Sequence, residues 1–173
     1  MVDLLVAGFI LISNFGGANL APSFTPDTKP ASSLSCPEQE AITNIVTIKD
    51  GAQVNKAIYL QTSLMLSDAK LAGLKLSITS SYRTCQQQME LRKVNCETIK
   101  AEEIFTKPAE QCKTPTEIPG QSLHNQALAL DLACEGTAKF EESPCYAWVK
   151  QNAAKYGFKQ HKLEQWHWSP TGE

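Results

Sequence analysis

Cys36, Cys85, Cys96, Cys112, Cys134 and Cys145 are spread along the chain without a single C-x-x-C pair. Zinc knuckles and dithiol redox sites need close cysteine pairs, so this pattern speaks against both. An even number at wide spacing suits disulfides formed in an oxidising compartment. Short loops favour Cys134 with Cys145 and Cys96 with Cys112, leaving Cys36 for Cys85; a set of buried free thiols is the alternative. At 173 residues the chain has the length of one domain. A core of that size can fold without metal or disulfide help.

The N-terminal part reads differently. Leu4 to Ile12 is an unbroken apolar run, LLVAGFILI. It is shorter than the roughly 20 residues needed to span a bilayer. It suits the apolar core of a signal peptide, with Gly16-x-Ala18 as a cleavage site. Asp3 stands where a basic residue is usual, and the first lysine is Lys29. Residues 1–18 are therefore read as a signal peptide or a short N-terminal membrane anchor. Residues 19–35, with Pro22, Pro26 and Pro30 among Ser and Thr, form an extended linker. The folded domain is expected over 36–173, in an exported and extracytoplasmic protein. A formal charge of -2 with no basic stripe excludes a nucleic-acid partner.

Within the domain, apolar residues from Val54 to Ala72 recur at helical spacing, predicting a helix over 53–72 stopped by Gly73. KLSITS (75–80) alternates like a half-buried strand. Thr84 is placed to cap a helix through Asn95. Residues 100–121, with Pro108, Pro115 and Pro119, read as a long loop. ALALDLA (127–133) suits a buried strand. Ser143 followed by Pro144 starts a helix to about Tyr156, before Gly157. Residues 165–169 suit a last strand. The class is α+β, a small and mostly antiparallel sheet with flanking helices.

The chain has only three histidines. His124 lies seven residues before Asp131, and Glu164 lies three before His167. Catalytic zinc takes three His or carboxylate ligands and leaves a fourth position open. His124, Asp131 and His167 supply such a set, and Glu164 stands near enough for a general base. On spacing alone the bland reading stays open: His124 capping a loop, Asp131 pairing with a lysine, and His167 packed at the surface.

Three segments carry a resemblance. Ser122-x-His124-x-x-Ala127-x-Ala129-x-Asp131 resembles the S-x-H-x-x-G-x-A-x-D signature of VanY-type D-alanyl-D-alanine carboxypeptidases and their VanX-type relatives. Glu164-Gln165-Trp166-His167 resembles their E-x-W-H signature, and Ser80-Ser81-Tyr82-Arg83-Thr84 with trailing Gln88 resembles S-G-Y-R-S. All three occur in the family's order across roughly residues 50 to 169.

The resemblance implies a fold like that of D,D-peptidases and the hedgehog signalling domain. It implies one zinc ion on His124, Asp131 and His167, with Glu164 as catalytic base. Arg83 matches the arginine that stabilises the developing oxyanion. Ser122 matches a serine near the substrate, and Gln88 a polar residue at the pocket edge. The implied substrate is the peptidoglycan stem peptide, cut by a monomeric wall enzyme. A peptidoglycan endopeptidase and a non-catalytic, zinc-stabilised wall-binding module are the alternatives. The family glycine is Ala127 here, and the second residue of S-G-Y-R is Ser81. Ala127 is strained if the backbone there needs a positive φ. His161 lies six residues before His167, a spacing that could let it line the cleft, but its place between Lys159 and Lys162 favours a solvated histidine. Trp166, Trp168 and Trp148 are expected in the core.

Overall fold

A computed structural model describes Cys36 and residues 44–173. The expected signal or anchor segment (1–18) and the linker (19–35) lie outside the described residues. Ile45–Thr47 (β1) and Gln53–Asn55 (β2) pair antiparallel, Val46 opposite Val54. The following helix, Lys56–Leu71 (α1), starts three residues later than its apolar spacing suggests. Val54 is taken by the strand pair, and the Asn55 side chain accepts the Ala57 N–H at 3.0 Å, so Asn55 is a cap rather than a helical residue. The buried stripe of α1 is Ile58, Thr62, Met65 and Ala69. Gly73 follows with φ 77°, the left-handed turn that lets the chain leave the helix.

Leu76–Ser80 (β3) matches the expected strand. Thr84 caps Cys85–Asn95 (α2) in a full capping box with Gln87. The predicted loop over 100–121 instead contains Ala101–Thr106 (α3) and a 3₁₀ turn at Ala109–Gln111. Six residues are too few to show a helical period, but Glu102 and Glu103 suit a first turn and Ile104 and Phe105 are buried. Leu130–Cys134 (β4) begins three residues after its predicted start, because Leu123–Gln126 forms a 3₁₀ turn that ends at Ala127. Pro144–Asn152 (α4), capped by Ser143, continues as a 3₁₀ turn over Ala153–Tyr156 to Gly157. Lys159–Gln160 (β5) was not expected; His167–Ser169 (β6) was.

The main sheet runs β3-β4-β6-β5, and every neighbouring pair is antiparallel. The expected α+β class with a small antiparallel sheet is what forms. In β4, Leu130, Leu132 and Cys134 point to the core while Asp131 and Ala133 face the other side. Leu130 and Leu132 pack with Trp168, Phe158, Ile58, Met65 and Val149. All six cysteines pair, as Cys36–Cys85, Cys96–Cys112 and Cys134–Cys145, the combination that loop length favours. Among the described residues no helix is long and apolar enough to cross a membrane.

Candidate functional site

The site grows from one cross-strand pair. Asp131 on β4 stands opposite His167 on β6, so both side chains leave the sheet on the same face. His167 Nδ1 lies 3.0 Å from Asp131 Oδ1. His124 comes from the 3₁₀ turn just before β4, where the Ser122 Oγ accepts its backbone N–H at 3.2 Å. Its Nε2 lies 3.3 Å from Asp131 Oδ1 and 3.3 Å from His167 Nδ1. One donor atom from each of the three residues falls within 4.8 Å of the other two.

Both imidazoles have their second nitrogen against a backbone carbonyl. His124 Nδ1 lies 2.6 Å from the Ser81 carbonyl and His167 Nε2 lies 3.0 Å from the Glu173 O. With those N–H groups donated, release of the proton that each ring shares with Asp131 would leave His124 Nε2 and His167 Nδ1 with lone pairs on the Asp131 side, the tautomers a metal ligand needs. Two imidazoles and one carboxylate so arranged fit a divalent metal such as zinc. The electrostatics agree. Burial works to raise the Asp131 pKa, but hydrogen bonds from His124 and His167, and their charge, hold it well below the carboxylate range. Burial works to lower His167, yet the bond and charge of Asp131 raise it above the ordinary histidine value.

Glu164 stands on the turn before β6 with Oε2 3.8 Å from His167 Nδ1, and it stays about one-third exposed, at 31%. Arg83 approaches the cluster at Asp131, its Nη2 3.8 Å from Asp131 Oδ2. Burial lowers the Arg83 pKa, and the charges of Asp131 and Glu164 oppose that. A β-bulge at Thr79 shifts the β3 register so that Ser80 pairs with Asp131. The Ser80 Oγ then accepts from Arg83 Nη2 at 3.2 Å. An open cleft of about 790 Å³ shares Ser80 and Arg83 with the site, and α2 and the 50–53 turn supply other walls. His124, Asp131 and His167 are not among its walls, so it adjoins the cluster rather than containing it.

One site residue stands differently from its expected place. Gln88 is not at the pocket edge: it is 1% exposed, behind Arg83. Its Oε1 accepts from Arg83 Nη1 at 2.8 Å and its Nε2 donates to the Glu117 carbonyl at 2.8 Å. Ser122 is buried, with its hydroxyl turned to the His124 backbone. Helix α2 carries Gln88 on its inner face, and that face could only be assigned once the partner segment was known.

His161, expected to be solvated, belongs to the site. Its N–H donates to the His167 carbonyl at 2.9 Å, and its ring stands edge-on to His167 at 5.5 Å between centroids. Its Nδ1 is 3.8 Å from Glu164 Oε2. The signal was the β5–β6 hairpin: with Gln160 opposite Trp168, the next residue falls opposite His167. Trp168 is core, as expected, but Trp166 is 40% exposed, because it lies in the turn before β6 where strand alternation does not yet hold. Trp148 packs on the core and stacks on Tyr156.

Ala127 answers the question its substitution raised. It adopts φ 56° and ψ 31°, left-handed, and is fully buried. Its carbonyl accepts the Asn55 N–H at 2.8 Å, so the turn carrying His124 is tied to the start of α1. Ser81 has no positive φ; its Oγ accepts the Gln53 N–H at 3.2 Å.

The fold and cluster define a small α+β domain with a metallopeptidase-type constellation: two histidines, a carboxylate, a nearby glutamate and an arginine. Residues 51–173 match the family described as VanY: D-alanyl-D-alanine carboxypeptidase, and the chain belongs to that family. It is 28% identical over 101 residues to the D-alanyl-D-alanine carboxypeptidase of Enterococcus faecalis (strain ATCC 700802 / V583), covering 58% of this chain and 37% of that one. It is 27% identical over 126 residues to YodJ of Bacillus subtilis (strain 168), covering 63% of this chain and 43% of that one. The chain thus spans less than half the length of these curated relatives. Among solved structures, it resembles the VanY D,D-pentapeptidase of a VanB-type vancomycin-resistance cassette in complex with Zn(II), with TM-score 0.55, 19% identity, and coverage of 72% of this chain and 76% of that one. It also resembles the LdcB LD-carboxypeptidase, with TM-score 0.55, 24% identity, and coverage of 73% and 67%. These likenesses concern the fold.

Proposed function

We propose that the chain is a zinc-dependent peptidase of peptidoglycan stem peptides, removing the terminal D-Ala as a D-alanyl-D-alanine carboxypeptidase. The observation that carries this is the convergence of Glu164 and Arg83 on the His124–Asp131–His167 cluster, each 3.8 Å from one of its side chains. Membership of the family and the Zn(II) complex of a fold relative support the same reading. His124 Nε2, Asp131 Oδ1 and His167 Nδ1 would hold one zinc ion, which when bound supplies Lewis acidity to a scissile carbonyl and to the attacking water.

The chain's own residues do the rest. Glu164 Oε2 takes a proton from the attacking water and returns it to the leaving amine. The position of Glu164, part-exposed beside His167 rather than among the three donor atoms, suits a base and not a fourth ligand. Arg83 stays cationic and has N–H groups left after its bonds to Gln88 and Ser80, which meet the charge that develops on the carbonyl oxygen. The carbonyls of Ser81 and Glu173 hold both imidazoles in the ligating tautomer. Ser122 fixes the turn that delivers His124, and Gln88 fixes Arg83.

A wall substrate lies outside the cytoplasm, and three disulfides are consistent with that compartment. In this reading residues 1–18 export or anchor the protein, residues 19–35 are its spacer, and the domain works as a monomer. The test is the substrate: a stem pentapeptide ending in D-Ala-D-Ala, set beside cross-linked wall. Release of one D-Ala from the pentapeptide supports the carboxypeptidase. Cleavage of cross-linked wall alone makes it an endopeptidase, and binding without turnover by the zinc-loaded protein makes it a wall-binding module.

A further inference from the structure

Arg92 is fully buried on the inner face of α2, one turn beyond Gln88. No carboxylate pairs with its guanidinium at salt-bridge distance among the described residues. Its two terminal nitrogens donate to backbone carbonyls, Nη1 to Thr116 and Nη2 to Lys107, while Nε has no hydrogen-bond partner among the described residues. Burial opposes the cation, and the charge of Glu117 favours it from beyond salt-bridge distance. A buried cation without a direct ion pair is costly, so its presence calls for a job that an apolar residue could not do.

What Arg92 holds is the segment from Lys107 to Glu117. The same segment is tied to the end of α2 by the Cys96–Cys112 disulfide and by Asn95 Nδ2 donating to Thr116 Oγ1 at 2.8 Å. The residue after Thr116 carries the carbonyl that accepts from Gln88 Nε2 at 2.8 Å. Consecutive carbonyls thus meet two residues one helical turn apart: Thr116 meets Arg92 and Glu117 meets Gln88. This matters because an amide has two different ends. With its NH₂ pinned to the Glu117 carbonyl, Gln88 can offer only its oxygen to Arg83, and it does so at 2.8 Å. If Thr116–Glu117 drifts, the amide is free to flip, and it then turns donors toward the donors of Arg83.

We infer that Arg92 is a positioning residue for Arg83, acting through the Thr116–Glu117 backbone and the amide of Gln88. The inference rests on the reading of Arg83 as the group that meets the developing charge; it gives α2 a part in setting the geometry of the site from behind.

Two measurements on the full chain test it. The first needs no activity. In arginine-labelled protein the guanidinium protons of Arg83 should give resolved, slowly exchanging NMR signals, and Arg92→Met should average them. Arg92→Lys, which still donates to a carbonyl, should restore part of the order, and it keeps the test available if the methionine variant does not fold. Unchanged Arg83 signals in a folded variant overturn the inference. The second uses turnover of the stem pentapeptide. Arg92→Met should lower kcat about tenfold with KM little changed, as expected for a small misplacement of a reacting group. In an Arg83→Ala background the same change should alter kcat less than about twofold, since the path then leads nowhere. Equal losses in both backgrounds mean that Arg92 only stabilises the fold, and overturn the inference. Absence of turnover in the parent protein counts against the peptidase reading alone, and the NMR result then decides for Arg92.

Discussion

Asp131 and His167 face each other across β4 and β6, with Oδ1 and Nδ1 3.0 Å apart. In the metal-free protein they stabilise each other as an ion pair, and a metal must displace the proton from His167 to bind. The pKa of His167 is raised, so its contribution to stability is complete below about pH 6.5 and is lost as pH rises through the raised value. The Asp131 carboxyl is depressed, so its contribution is present above about pH 3.9 and is lost as pH falls through the lowered value. Zinc affinity should therefore climb as pH rises through the raised His167 value, with proton release on binding. Competition titrations at several pH values check this; affinity flat through that value would remove His167 as a ligand.

Glu164 sits beside the cluster and not in it. Glu164→Ala should keep stoichiometric zinc and lose turnover by about 10²- to 10⁴-fold. Metal content and kcat measured on one preparation give the answer. A variant that loses zinc makes Glu164 a ligand, and one that turns over at the parent rate leaves the base unassigned.

Much of this centre was legible in the sequence, because its parts are local. Asp131 and His167 lie on short strands whose alternation separates site face from core face, and Thr84 and Ser143 mark their helices by capping chemistry alone. What escaped depends on segments far apart in the chain. Gln88 is interior only because the 107–117 segment folds over α2, and nothing in the α2 sequence announces that. The sequence admits His161 as a cleft residue but ranks it below a solvated one, because β5 has two residues, too few to show a period. Helix α3 escaped for the same reason, and prolines around it argued for a loop.

Ala127 occupies a left-handed, fully buried position. Ala127→Gly should relieve about 1–2 kcal/mol of backbone strain. It loses roughly 0.8 kcal/mol of buried methyl and adds about 0.5–1 kcal/mol of chain entropy to the unfolded state. The net change should stay within about 1 kcal/mol. Ala127→Val adds a β-branched side chain where neither the φ nor the packing admits it, and should destabilise by at least about 2 kcal/mol. Chemical denaturation of both variants tests the pair; a valine variant as stable as the parent would contradict the left-handed turn.

The three disulfides close loops of different length, with sequence separations of 49, 16 and 11. In the chain-entropy account, replacing Cys36 and Cys85 together should lower stability by about 4 kcal/mol, against about 3 kcal/mol for Cys134 and Cys145. Denaturant midpoints of the two double-alanine variants check the order. The reverse order would place native packing around Cys134–Cys145 above loop entropy as the source of stability.

The central claim is that His124, Asp131 and His167 hold a zinc ion that this chain uses to cut D-Ala from stem peptides. The most direct measurement is release of D-Ala from a stem pentapeptide ending in D-Ala-D-Ala, before chelation, after chelation, and after zinc is restored. The account predicts one D-Ala per peptide, abolished by the chelator and recovered with zinc. Release that persists in fully chelated protein, or no D-Ala released from the pentapeptide by folded protein with zinc bound, would contradict it.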